Sequence, residues 1–311
     1  MRSLAAWVMK KPANALIAVS GSAVFALTLP PLTPLLMLLS LALAALVTLR
    51  RGGRHGLLVI VTGLLTITAV MLVVKQAVQP ELVSMGLLWG VIWLLAMAYR
   101  RIAQMSWMIV GAGFFGLLVI AGFYALPDDP SVVWLEWLNQ NFRPVAVEGK
   151  LAQTDADLNK LLVELSAVMT RSVAALASVI LIISLLLARW WQAMLYNPGG
   201  FRKEFHGLRL GRPLAILMLV LIAVSQFVEI APAKNMATDM ATVVWLLFFF
   251  QGMAVTHAVV AQVGLGVGWL VGIYMLLLLP PYYVSTVLSG LGFVDTWFDF
   301  RRRVGKQVNK L

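Results

Sequence analysis

The sequence predicts an all-α fold, a polytopic helical membrane protein of about ten spans, eight to ten and even in number. Composition is the first reason. Of 311 residues, 61% are hydrophobic and only 12% charged, with a mean hydropathy of +0.91, a balance outside that of soluble domains. Second, several apolar runs reach ~18 residues or more, the length that crosses the ~30 Å hydrocarbon core as a helix. Third, Lys and Arg gather in short clusters at the ends of those runs, where orientation signals sit.

The elements follow in order within a single transmembrane domain covering 1–311. Met1-Arg2, then Lys10-Lys11 and an apolar run, resemble a signal peptide. The run leads into a second span without a small-residue cleavage site, so it reads as an uncleaved first span. Spans 13–28 and 32–48 are separated by Pro30-Pro31, with Pro34 following, because proline breaks a helix interior. Arg50, Arg51, Arg54 and His55 precede a third span at 56–74 and a turn at 75–81. The fourth span, 82–98, ends at Arg100-Arg101, and the fifth covers 105–125.

The long polar region is 126–165. Asp129-Pro130 has the pattern of an N-cap and first helical residue. The helix after it carries Trp134, Leu135, Trp137 and Leu138 and is expected to lie on the membrane surface. Residues 148–154 break it. A second helix starts at Thr154 and runs without a breaker through the sixth span to Tyr196. Some 40 residues at 1.5 Å each make ~60 Å, so part of it must project or bend. The seventh span is 214–228, followed by a turn at 229–239 and the eighth span at 241–260. Runs at 264–279 and 282–294 flank Pro280-Pro281 and read as short or partly re-entrant ninth and tenth spans. The tail 301–311 is basic.

Charge sets the expected orientation. With the N-terminus in the cytoplasm, 18 of the 24 Lys and Arg fall inside: three at the N-terminus, three after Leu49, two at Arg100-Arg101, five from Arg189 to Arg212 and five in the tail. Five fall outside, Arg171 sits at a span edge, and ten of the 13 acids are outside. This satisfies the positive-inside rule and requires an even span count for a cytoplasmic tail. The expected site is a bacterial cytoplasmic membrane, with 126–165 extracytoplasmic. Trp7, Trp190, Trp191 and Trp297 fall near the expected cytoplasmic boundary, as an aromatic belt would.

The densest mix of charge, aromatic residues and turn signals is 195–213, LYNPGGFRKEFHGLRLGRP. Asn197-Pro198-Gly199-Gly200 must end the arriving helix. Phe201, Phe205 and Leu208 then fall on one helical face, with Arg202, Lys203, His206 and Arg209 around it. That predicts a short basic amphipathic helix over 201–210, lying in the cytoplasmic membrane interface.

Four motifs occur in order: LVTLRRG at 46–52, the NPGGFRxEFxxLRLGR pattern at 197–212, FFFQGMAVTH at 248–257 and DTWFDFRRR at 295–303. With them the chain resembles the YybS-like family of bacterial integral membrane proteins, a domain of unknown function. The resemblance implies a bundle similar to the S-components of energy-coupling-factor transporters. It implies no particular substrate.

Other motifs carry less. Gly111, Gly113 and Gly116 match GxGxxG literally, but inside an apolar run with no preceding strand. Small residues for close helix contact are the better reading, as for Gly86/Gly90, Gly264/Gly268 and Gly268/Gly272. There is no GxxxxGK[ST] motif and no cysteine, which removes a self-contained ATP motor and thiolate chemistry. No metalloprotease or nucleophile motif occurs, and His55, His206 and His257 form no metal spacing, so neither an enzyme, a metal nor a cofactor is expected. The basic clusters follow span ends, which disfavours nucleic acid despite the +11 charge.

Gln251, Thr256 and His257 lie in the eighth span, where polar groups either face a cavity or bond between helices. They are the candidate ligand residues, although His257 lies well off the face that Gln251 shares with Gln262. Phe201, Arg202, Lys203, Glu204, Arg209, Asp295 and Arg301 are the candidate surface for lipid or a cytoplasmic partner protein. Asp295 and Asp299, just before Arg301, read either as a paired, snorkelling helix end or as part of that docking surface. Two functions are therefore expected: a small-molecule-binding or transport subunit without its own ATPase, or a non-transporting envelope scaffold.

Overall fold

The computed structural model describes residues 2–29, 32–74, 80–149, 151–152, 154–278 and 281–308. The Pro30-Pro31 break, the 75–79 turn, Pro280 and the last residues of the tail lie outside them. All regular structure among the described residues is helical: α1 (Arg2–Lys10), α2 (Pro12–Thr28), α3 (Thr33–Arg51), α4 (Gly53–Val74), α5 (Pro80–Ile102), α6 (Met105–Tyr124), α7 (Pro130–Asn141), α8 (Arg143–Glu148), α9 (Asp155–Tyr196), α10 (Gly200–His206), α11 (Arg212–Phe227), α12 (Ala231–Gln262), α13 (Gly268–Leu276), α14 (Pro281–Phe298) and α15 (Phe300–Val308).

Six helices, α3, α4, α5, α6, α9 and α12, are long and apolar enough to cross a membrane. The apolar helices α2 and α11 are shorter, at 17 and 16 residues. α13 has nine residues and rises about 14 Å, less than half the hydrocarbon thickness. The outer faces are apolar. Leu58, Leu65 and Leu72 of α4, Phe114 of α6 and Ile216 of α11 are exposed, far more apolar surface than a soluble monomer presents.

Two helices form the centre. Residues 40–49 of α3 are all buried, as expected of a helix that is apolar on every side. α3 packs on α2, α4, α5 and α9, while α12 packs on α6, α9, α11 and α14. α9 touches both groups and joins them. Its 42 residues rise about 63 Å. It is unbroken from Asp155 to Tyr196, and α7 and α8 pack against its first turns. Leu138, Ala146, Leu158 and Leu162 form a separate small core there. Trp134 Nε1–H donates to Thr170 Oγ1 at 3.0 Å. α7 thus packs against α9, which its expected place flat on the membrane did not include. Asp129 and Thr154 cap α7 and α9 as the pattern predicted.

Three further expectations change. The turn at 229–239 is confined to 228–230, and its remainder forms the first turns of α12. The helix tolerates the buried Asp239 because Arg171 lies 3.6 Å from its carboxylate and Tyr124 O–H donates to it at 3.0 Å. Trp191 is fully buried in the core, whereas Trp7, Trp190 and Trp297 are exposed. The glycine contacts also lie elsewhere. A Cβ at Gly90, Gly264, Gly268 or Gly272 would meet nothing within 4 Å. At Gly252 it would collide with the Leu288 carbonyl, and at Gly292 with the Phe248 carbonyl. α12 and α14 therefore cross with their backbones touching. Gly111, Gly113 and Gly116 do face neighbouring helices closely, against Leu95, Leu247 and Ser178.

Candidate functional site

The site is built around α10. α9 stops at Asn197, and Gly199 takes φ +83°, a left-handed turn that glycine makes without strain. α10 then runs for seven residues and ends at Gly207, shorter than the helix expected over 201–210. Beyond it Leu208 and Leu210 are buried. Phe201 and Phe205 stack with ring centroids 5.8 Å apart and pack against the bundle core.

Three polar anchors hold this segment. Glu204, expected on the outer surface, turns inward. It pairs with Arg189 through both carboxylate oxygens, and Tyr99 O–H donates to it at 2.6 Å. Gln251, read as either facing a cavity or bonding between helices, is 1% exposed and does the second. Its Oε1 accepts from Leu210 N–H at 2.8 Å, and its Nε2 donates to Gly292 O at 2.9 Å and Asp295 Oδ2 at 3.2 Å. Arg301 and Asp295, read either as a paired helix end or as part of a docking surface, form a buried pair at 2.6 Å. Arg301 Nη1 also donates to the carbonyls of His206 and Leu208, both at 2.8 Å. A buried charge needs this many partners. Of the expected surface, Arg202, Lys203 and Arg209 remain exposed, and Arg209 bridges to Asp299 at 2.8 Å. Asp299 takes φ +45°, which breaks α14 from α15.

On one side of α10 a cleft of about 480 Å³ opens, lined by Phe201, Arg202, Phe205 and His206, by His257 of α12 and by Tyr274 of α13, with aliphatic residues between. His257 Nε2 lies 2.9 Å from Tyr274 Oη, and Phe205 meets the His257 ring edge-on at 5.6 Å. The sequence assigned His206 and His257 to separate regions, yet their rings are 6.3 Å apart. Burial lowers the His206 pKa below its ordinary value, and the charges of Arg202, His257 and Arg301 push the same way. Thr256 is absent from this lining and donates within its own helix to Gly252 O at 2.9 Å. Of the three candidate ligand residues, only His257 lines the cleft.

Comparison with family models, curated proteins and solved structures found no match. What the site can do therefore rests on its own geometry. Aromatic and aliphatic walls accept an apolar body. The His257–Tyr274 pair can donate or accept one hydrogen bond, and Arg202 at the rim suits an anionic end. Tyr274 and His206 were not singled out as ligand residues from the sequence. His206 was read as part of the basic face and as a histidine without metal spacing, and Tyr274 lies in the 264–279 run without being read on its own.

Proposed function

We propose that the protein is a multi-pass protein of a bacterial cytoplasmic membrane that binds a small amphipathic molecule beside α10. It acts as a binding or transport subunit that has no ATPase of its own. The observation that carries this reading is the cleft at His257, whose volume of about 480 Å³ falls in the range of small-molecule sites. The Lys and Arg distribution supports ten spans with both termini and α10 on the cytoplasmic side, counting α2, α11, α14 and the whole 264–279 run that contains α13 with the six long helices. Descent from the YybS-like family, with an S-component-like bundle, belongs to the same proposal and rests on the four sequence motifs. Arg202, Lys203 and Arg209 would then meet lipid phosphates or a cytoplasmic partner.

Native mass spectrometry of the purified protein tests the reading. A retained small molecule is expected, lost in His257→Leu and Tyr274→Phe while the thermal midpoint without ligand stays unchanged, since a ligand stabilises only in proportion to its occupancy. If both variants lose stability and no molecule is retained, the second reading gains: an envelope scaffold. It is favoured by Gln251, whose amide serves helix packing alone.

A further inference from the structure

On the opposite side of α10 from the aromatic cleft lies a second hollow of about 500 Å³, walled by Arg50, Tyr99, Arg100, Arg189, Gln192 and Tyr196. The ends of three apolar helices, α3, α5 and α9, converge here. We propose that this hollow is a binding site for a phosphate-bearing headgroup, that of an anionic membrane lipid or of a soluble phosphate compound.

Charge is the first argument. Three guanidinium groups face one carboxylate, Glu204, and that carboxylate is already shared between Arg189 and Tyr99. Among the described residues neither Arg50 nor Arg100 has an ion-pair partner. Arg50 and Arg100 are therefore left in a concave site whose one carboxylate, Glu204, is already paired.

Preorganisation is the second. The Arg50 guanidinium lies over the Tyr196 ring, 4.0 Å from its centroid, which fixes its plane and leaves its N–H groups for an acceptor. Arg100 Nη1 donates to Thr48 O at 3.2 Å and Leu49 O at 2.7 Å. This neutralises the carbonyl end of α3, which would otherwise repel an anion, and holds the rest of the guanidinium toward the hollow. Gln192 adds a donor nearby, held to Leu49 O at 3.4 Å. Planar, fixed guanidinium groups match phosphate oxygens two at a time, a geometry that lysine does not reproduce. Position is the third argument. The hollow sits where helices pass from apolar runs to charged residues, and Ile102 and Tyr196 beside it are exposed. A headgroup there could keep its acyl chains against the apolar wall.

The test uses the full chain in phosphatidylcholine nanodiscs with and without phosphatidylglycerol. A separate arm adds inorganic phosphate to the zwitterionic discs. The readouts are the thermal midpoint and the phospholipid phosphorus retained per protein after detergent exchange. Arg50→Gln is the main variant, because among the described residues the Arg50 side chain makes no hydrogen bond or ion pair, only the stacking on Tyr196, so its loss leaves no buried partner. Arg50→Lys keeps the charge, and Lys160→Gln removes one exposed charge near the start of α9. Phosphatidylglycerol is expected to raise the midpoint of the wild type and of Lys160→Gln. Arg50→Gln should bind at least about tenfold more weakly, the equivalent of one charge-assisted hydrogen bond, and Arg50→Lys should rescue only part. If inorganic phosphate stabilises to the same degree, the source is a soluble compound. If it does not, the source is lipid. No stabilisation by either, or equal losses in Arg50→Gln and Lys160→Gln, would overturn the site.

Discussion

Glu204 sits in a run of charges, RKEF, where the sequence alone does not distinguish an outward acid from an inward one. The structure makes the choice because Arg189, with a side chain 7% exposed, needs a counter-charge and α9 offers none. Glu204→Gln should therefore destabilise the fold by about 2 kcal/mol, below the ~3–5 of a fully buried pair because Glu204 keeps 28% exposure. Thermal unfolding in detergent reads this, and Arg189→Met combined with Glu204→Gln should recover most of the loss. His206 makes a second prediction at this scale. Its folded pKa is lowered by burial and by Arg202, His257 and Arg301, so the unfolded chain takes up its proton first as pH falls. Stability should be full above about pH 6.5, the ordinary histidine value, and fall as pH drops through the folded pKa. His206→Asn should flatten that part of the stability–pH curve. Of the candidate residues, Glu204 was misread in direction, while Arg202, Lys203 and Arg209 are exposed as read. Polar groups near a span end were visible. Which of them were already paired depended on partners distant in sequence, Tyr99 for Glu204 and Leu210 for Gln251.

Helices were easier to read than their contacts. Apolar runs and proline or glycine punctuation located nearly every long helix, because crossing length and helix breaking are local properties. The start of α12 was missed because Glu229, Lys234 and Asp239 look like a solvated turn. Their helix is supported by Arg171 and Tyr124 on other elements. Glycine spacing reported the close contacts of Gly111, Gly113 and Gly116 but failed at Gly90, Gly264, Gly268 and Gly272, for a related reason. The closest backbone approach, α12 on α14, uses one glycine from each helix, and no pattern within one helix reports that. Gly252→Ala and Gly292→Ala should each cost ~1–3 kcal/mol, the range for overpacking, and the upper end is expected where backbone must move. Gly90→Ala, in open space, should be neutral or gain up to about 0.5–1 kcal/mol from helix propensity. Unfolding midpoints of the three variants, measured side by side, check the contrast.

At the scale of the molecule, membrane class was legible from composition, while span count was not. Six helices meet length and hydropathy together, and the remainder depend on how short helices sit. Orientation is open to direct measurement because the chain has no cysteine. Ala152→Cys should react with an impermeant thiol reagent in intact cells, and Lys203→Cys only after lysis. The reverse pattern would invert the topology and move α10 outside.

α9 finally has a mechanical consequence. It is one unbroken helix of 42 residues, gripped by α7 and α8 near its start and by Glu204 near its end. Such an element is a lever. A tilt of only about 5° along its ~63 Å length displaces the far tip by about 5 Å, the width of a ring. A push on the α7–α8 cap would therefore arrive at Arg189, beside α10, as a shift of that order.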